Sequence, residues 1–176
     1  MAGEWTMSGS SQVTVCEIEI RTRYPECDPM GYVHHARYFE YFERGRTELL
    51  RLGGKSHRDL EEGGIFFVVA RAECKFIKPA FYDDCLLLTT QLERATRARI
   101  DHAYVLRRGP VVLCLGSTTL ACVSREGRLI GIPQEFQEPT TNKESTESYK
   151  SIPGAFRRGK KPHLNRNAPG SRPGPS

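Results

Sequence analysis

What this sequence has little of narrows its class first. It has no apolar run of the ~20 residues needed to cross a bilayer, and "MAGEWTMSGSS" has no charged segment leading into an apolar one. Neither membrane insertion nor a secretory leader is expected. The six cysteines, Cys16, Cys27, Cys74, Cys85, Cys114 and Cys122, form no CxxC pair and no cluster with histidine at zinc-like spacing. That argues against a disulfide framework or a metal, and for free thiols in a reducing cytoplasm. An excess of one charge is also missing from most of the chain. Of 26 Lys and Arg and 21 Asp and Glu, eight and two fall after residue 138, leaving 18 against 19 before it.

The basic character therefore belongs to residues 139–176, rich in Pro, Gly, Ser and Asn and too poor in large apolar groups to offset the entropy of ordering. A disordered basic tail is expected there, contacting anionic surfaces weakly at most, and a disordered segment over residues 1–12. Residues 13–138 are long enough for one domain with its own core.

Within that domain, "VTVCEIEIRTR" alternates, Cys16, Ile18 and Ile20 against Glu17, Glu19 and Arg21, which predicts a half-buried strand. Pro25 and Asp28-Pro29 stop it and Gly31 permits a tight turn. Tyr38, Phe42, Gly45, Leu49 and Leu52 then recur at helical spacing, with Phe39 and Tyr41 widening the stripe. Gly53-Gly54 ends this helix, and Ser56 with Asp59 caps a second, short one through about Glu62. Extended runs follow. In "IFFVVARAECKFI" the alternation places Phe66, Val68, Ala70, Ala72, Cys74 and Phe76 on one face, and further strands are expected near Cys85 to Glu93, Arg99 to Arg107, Val111 to Ser124 and Leu129 to Ile132. The fold class is α+β: a curved antiparallel sheet of five or six strands wrapped around one long helix. Its free edges make a homodimer joined edge to edge an expectation.

The string "YPECDPMGYVHHARYFEYFERGRTE" carries Tyr24, Asp28, Gly31, Val33, His35-Ala36, Tyr38 and Phe42-Glu43-Arg44-Gly45-Arg46 in one order. Further on, "FVVARAECKFIKPAFYDDCLLLTTQL" sets Lys78-Pro79-Ala80 and Asp83-Asp84 after an apolar strand. Together they resemble the hotdog-fold acyl-CoA thioesterases of the 4-hydroxybenzoyl-CoA thioesterase and YbgC-like group, from about Val13 to Phe136. This chain has His34 and Arg37 where relatives usually have Tyr and often Asn.

The resemblance implies hydrolysis of an acyl or aroyl thioester of coenzyme A, in a cytoplasmic homodimer or homotetramer with sites at the subunit interface. A thioester needs an oxygen nucleophile and a stabilised carbonyl oxygen. Asp28 is the candidate for the first, as nucleophile or general base. The helix N-terminus supplies the second, and the resemblance assigns it to the amide of His35, with Gly31 letting the backbone approach. His34 and His35 are adjacent and so poorly placed for a shared metal. Tyr32 and Phe67 are candidate pocket walls. Arg94, Arg97 and Arg99 are candidate contacts for the coenzyme phosphates by resemblance, with Arg107 and Arg108 as alternatives. Coenzyme A is part of the substrate and no cofactor, metal or specific nucleic acid is expected. The competing reading is a non-catalytic acyl-CoA or acyl-carrier binding module; a third is an interaction protein working through the tail.

Overall fold

A computed structural model describes residues 13–136, so the expectations for both terminal segments lie outside the described residues. The chain runs β1 (Val15–Arg21), a 3₁₀ turn (Tyr24–Glu26), α1 (Arg37–Leu52), α2 (His57–Glu62), β2 (Phe66–Phe76), β3 (Cys85–Ala95), β4 (Ile100–Arg108), β5 (Val111–Val123), β6 (Leu129–Ile130) and a 3₁₀ turn (Gln134–Phe136). The sheet is antiparallel in the order β1-β3-β4-β5-β2, with β6 also paired to β5.

The sheet and α1 need each other to bury their apolar sides. Tyr38, Tyr41, Phe42, Gly45 and Leu49 of α1 are buried, as the spacing predicts, and Cys16 and Ile20 meet them from β1. Leu52 departs from the expected stripe and is 60 % exposed, because the helix ends there. Ser56 caps α2 reciprocally: its hydroxyl accepts from Asp59 N and its amide donates to Asp59 Oδ2. The core has two clusters. One joins Tyr38, Tyr41 and Phe42 to Leu86, Leu88, Tyr104, Leu106 and Cys114. The other joins Leu49 and Leu60 to Leu92, Ile100, Leu120, Cys122, Ile132 and Phe136.

One strand breaks the expected pattern. The β2–β5 register shifts between Val69 and Arg71, a bulge that adds one residue and reverses the alternation. Phe67, opposite Cys122, therefore points inward against Phe136, with ring centroids 5.6 Å apart. Phe66 and Val68 do not share the face of Cys74 and Phe76, contrary to the unbroken alternation read from the sequence. The two sheet edges are β1 and β2, and on β2 Val68, Val69 and Phe76 are 41, 48 and 50 % exposed.

The centre of the sheet is packed against the helix without slack. Phe42 stacks on Tyr104 at 4.4 Å, and a side-chain carbon at Gly116 would drive into the Phe42 ring. Gly116→Ala is expected to cost about 1–3 kcal/mol through overpacking, read as a lower urea midpoint at unchanged slope. An unchanged midpoint would refute this close approach.

Candidate active site

The segment between β1 and α1 is held from both sides. Glu26, 3 % exposed, accepts from Arg23 N at 2.7 Å, from Arg23 Nε and Nη2 at 3.0 and 2.7 Å, and from the Tyr41 hydroxyl at 2.9 Å. Burial pushes the Glu26 carboxyl up, but the hydrogen bonds from Arg23 and Tyr41 outweigh it and hold the group below its ordinary value. Burial and the adjacent Glu26 push Tyr41 up, so it stays a protonated donor. The loop carrying the candidate acid is thus fastened to α1.

Beyond Glu26 the chain makes a small hairpin. Asp28 N donates to Tyr32 O at 2.8 Å and Gly31 N to Asp28 O at 2.9 Å, while Cys27 pairs with Val33 and Tyr32 with Phe81. Gly31 has φ of +80°, which a residue with a side chain rarely adopts. Its role is to close this turn. Asp28 Oδ1 accepts from Met30 N at 2.9 Å and Tyr32 N at 3.2 Å. Among the described residues Oδ2 accepts no hydrogen bond. Cys27 lies against the first core cluster, and burial followed by the charges of Asp28 and Glu26 pushes its thiol up, away from a thiolate.

The helix begins later and tighter than the sequence implies. Its first residue is Arg37, two beyond His35. The amides of Arg37, Tyr38 and Phe39 donate to the carbonyls of His34, His35 and Ala36, and Ala36 N donates to His34 Nδ1 at 3.3 Å. His34 N donates to Glu26 O at 2.8 Å. That leaves the His35 amide as the donor at the helix start with no acceptor among the described residues. A single free amide replaces the row of unpaired donors expected of an uncapped terminus.

Asp28 and His35 open on one groove of about 300 Å³, lined also by Tyr32, Val33, Tyr38, Phe76, Ile77, Lys78 and Pro79. Tyr38 supports its floor, packed edge-on to Phe76 with centroids 5.0 Å apart, and burial pushes its hydroxyl up to about 12.

The structure brings Asp28, His35 and Tyr32 together and Gly31 beside them, but not the other candidates. Phe67 is half-buried, packs against the second cluster and Phe136, and does not line this groove. Arg94, Arg97 and Arg99 lie at the opposite end of the sheet. The groove meets the rung Phe76–Cys114–Leu106, whereas the arginines adjoin the rung Val69–Leu120–Ile100, seven residues or roughly 20 Å along β2. Arg99 is moreover paired with the buried Asp101 at 3.0 Å. Arg108 is at the groove's end of the sheet but is taken by Asp84 at 2.6 Å. Two residues of the site are not marked as functional by the sequence: Glu26, which resembles any surface acid until Tyr41 is seen above it, and Lys78, whose Lys-Pro-Ala setting gives it no role.

Among the described residues no group of His, Cys, Asp and Glu is arranged to hold a metal, and all six cysteines are free. No helix among them is long and apolar enough to cross a membrane.

Known proteins share this fold and sequence pattern over most of the described residues. A family model described as the thioesterase superfamily matches residues 30–115. The acyl-CoA thioesterase YbgC of Haemophilus influenzae is 35 % identical over 105 residues, covering 59 % of this chain and 77 % of that protein. A crystal structure of an Aquifex aeolicus protein superimposes with a TM-score of 0.66 at 31 % identity, covering 68 % of this chain and 94 % of the other. A DHNA-CoA thioesterase from Staphylococcus aureus does so with a TM-score of 0.63 at 29 % identity, covering 67 % and 79 %.

Proposed function

From the premise that the chain belongs to the hotdog-fold thioesterase superfamily, as a YbgC-like thioester hydrolase, we propose that it hydrolyses an acyl or aroyl thioester of coenzyme A with Asp28 as the reacting acid. The observation that carries this is that Asp28 and His35 line one groove and that, among the described residues, Asp28 Oδ2 and the His35 amide have no hydrogen-bond partner.

Each group answers one demand of the reaction. Two backbone amides hold Asp28 Oδ1, which orients the carboxylate and leaves Oδ2 to attack the carbonyl carbon or to take a proton from water. The His35 amide, at the positive end of α1, donates to the carbonyl oxygen as negative charge builds there. The thiolate of coenzyme A leaves. In single turnover in ¹⁸O water, label entering the Asp28 carboxylate marks a covalent anhydride that water opens at the Asp28 carbon, whereas label confined to the released acid fits both the general-base route and an anhydride opened at its acyl carbon.

Thiol release from a panel of aliphatic and aromatic acyl-CoA esters tests the activity. Binding without release from any ester would favour the non-catalytic module instead. The aromatic and aliphatic lining suits an apolar acyl group or the pantetheine arm.

The same reading favours an oligomer. One wall of the groove, Phe76 and Ile77, belongs to the end of the exposed β2 edge, so a second copy paired there would cover it. Antiparallel pairing would also turn the second copy's Thr96–Arg99 end of the sheet toward this groove, the arrangement in which Arg94 and Arg97 could meet coenzyme phosphates. Introducing Val68→Asp and Val69→Asp together is expected to reduce the mass in light scattering to one chain. An unchanged mass would place the interface elsewhere. Cytoplasmic residence belongs to this proposal as well.

A further inference from the structure

Lys78 is exposed and lines the groove, and no described residue neutralises it. Among the described residues its ammonium has no ion pair or hydrogen bond, and Asp28 is not within ion-pair distance. The nearby arginines are each occupied: Arg21 by Asp83, Arg23 by Glu26, Arg37 by Glu40 and Arg108 by Asp84. Apart from Asp28 and His35, the lining around Lys78 is aromatic, aliphatic or proline.

Its placement is built by the backbone. Ile77 N and Lys78 N both donate to the Leu113 carbonyl, at 2.8 and 3.0 Å, so two residues here face one on β5. This ends the regular alternation of β2 and lets four consecutive residues, Phe76 to Pro79, line the same groove, where a continuing strand would turn every second one away. Just beyond, the fully buried Ala80 accepts from Val33 N at 2.9 Å, which anchors the segment to the loop of Asp28.

We propose that Lys78 recognises an anionic group of the thioester substrate: a phosphate of the coenzyme, or a carboxylate or phenolate on the acyl group. This rests on the reading of Asp28 and His35 as the reacting centre. It makes Lys78 a specificity residue, binding charge away from the bond that breaks.

The test uses one neutral and one carboxylate-bearing acyl group, each as its coenzyme A ester and its N-acetylcysteamine ester, which lacks phosphate. In Lys78→Met the ratio of kcat/KM between charged and uncharged substrates is expected to fall about tenfold, mainly through KM, and Lys78→Arg should restore most of it. A fall confined to the coenzyme A esters assigns the anion to the phosphates, and a fall confined to the carboxylated acyl group assigns it to the acyl end. Equal change on all four esters, or none, overturns the proposal. Dissociation constants of non-hydrolysable thioether analogues give a second readout free of catalysis. If wild type hydrolyses no ester, the reading of Asp28 fails, while weaker analogue binding by Lys78→Met still upholds the anion contact and unchanged binding rejects it.

Discussion

Asp28→Asn is expected to lower kcat for thioester hydrolysis by about a thousandfold, with thermal midpoint and circular dichroism close to wild type. Asn keeps an oxygen that can accept from Met30 N and Tyr32 N, so the turn survives while the anionic Oδ2 is lost. Ala is the poorer test, since it removes both turn bonds and would confuse a collapsed hairpin with missing chemistry. A folded Asn variant that kept more than about a tenth of kcat would remove Asp28 from the mechanism, because a positioned acid–base group normally contributes a hundredfold or more.

The second large effect is on stability. His102 is buried on β4, its Nδ1 without a partner among the described residues, opposite Leu92 of β3 and Thr118 of β5 and near Arg46 of α1. Burial first, then the charge of Arg46, push it down to about 4, against a smaller opposing effect of Asp101. The unfolded chain takes up this proton near its ordinary value of 6.5 and the folded one only near 4. Stability is therefore intact above about 6.5 and drains as pH falls from 6.5 to 4. Each pH unit in that interval removes roughly 1.4 kcal/mol, so the loss from this one group approaches about 3 kcal/mol. Urea titrations at pH 7 and 4.5 check it: His102→Gln should lose distinctly less stability than wild type between those two conditions. Parallel losses would show that His102 is not the proton acceptor.

The helix, the succession of strands along the chain and the approach of Asp28 to the start of α1 were legible because each depends on neighbours along the chain, whereas the sheet order was not: β2 pairs with β5 and β1 with β3, which a meander of consecutive strands does not give. Apolar spacing fixes the buried face of α1, and Pro25 and Pro29 end the extended run whatever lies opposite. What escaped depends on a partner strand. The bulge at Val69–Arg71 exists only in the pairing of β2 with β5, so alternation read along β2 alone sends Phe67 to the wrong face. Arg99 read as a free cation because Asp101, two residues on, gave no sign of being buried. Lys78 gains its place through a carbonyl on β5, and nothing within Lys-Pro-Ala announces that. Local periodicity reveals elements, whereas cross-strand register decides which cation is occupied and which is free.

The Glu26 clamp also bears on how reactants meet. Since Tyr41 lies in α1 six residues beyond His35, and Glu26 two residues before Asp28, their bond ties the loop of Asp28 and the start of the helix to a common frame. Under the proposed mechanism an incoming ester meets two groups whose spacing is already set, and spends none of its own binding energy on assembling it.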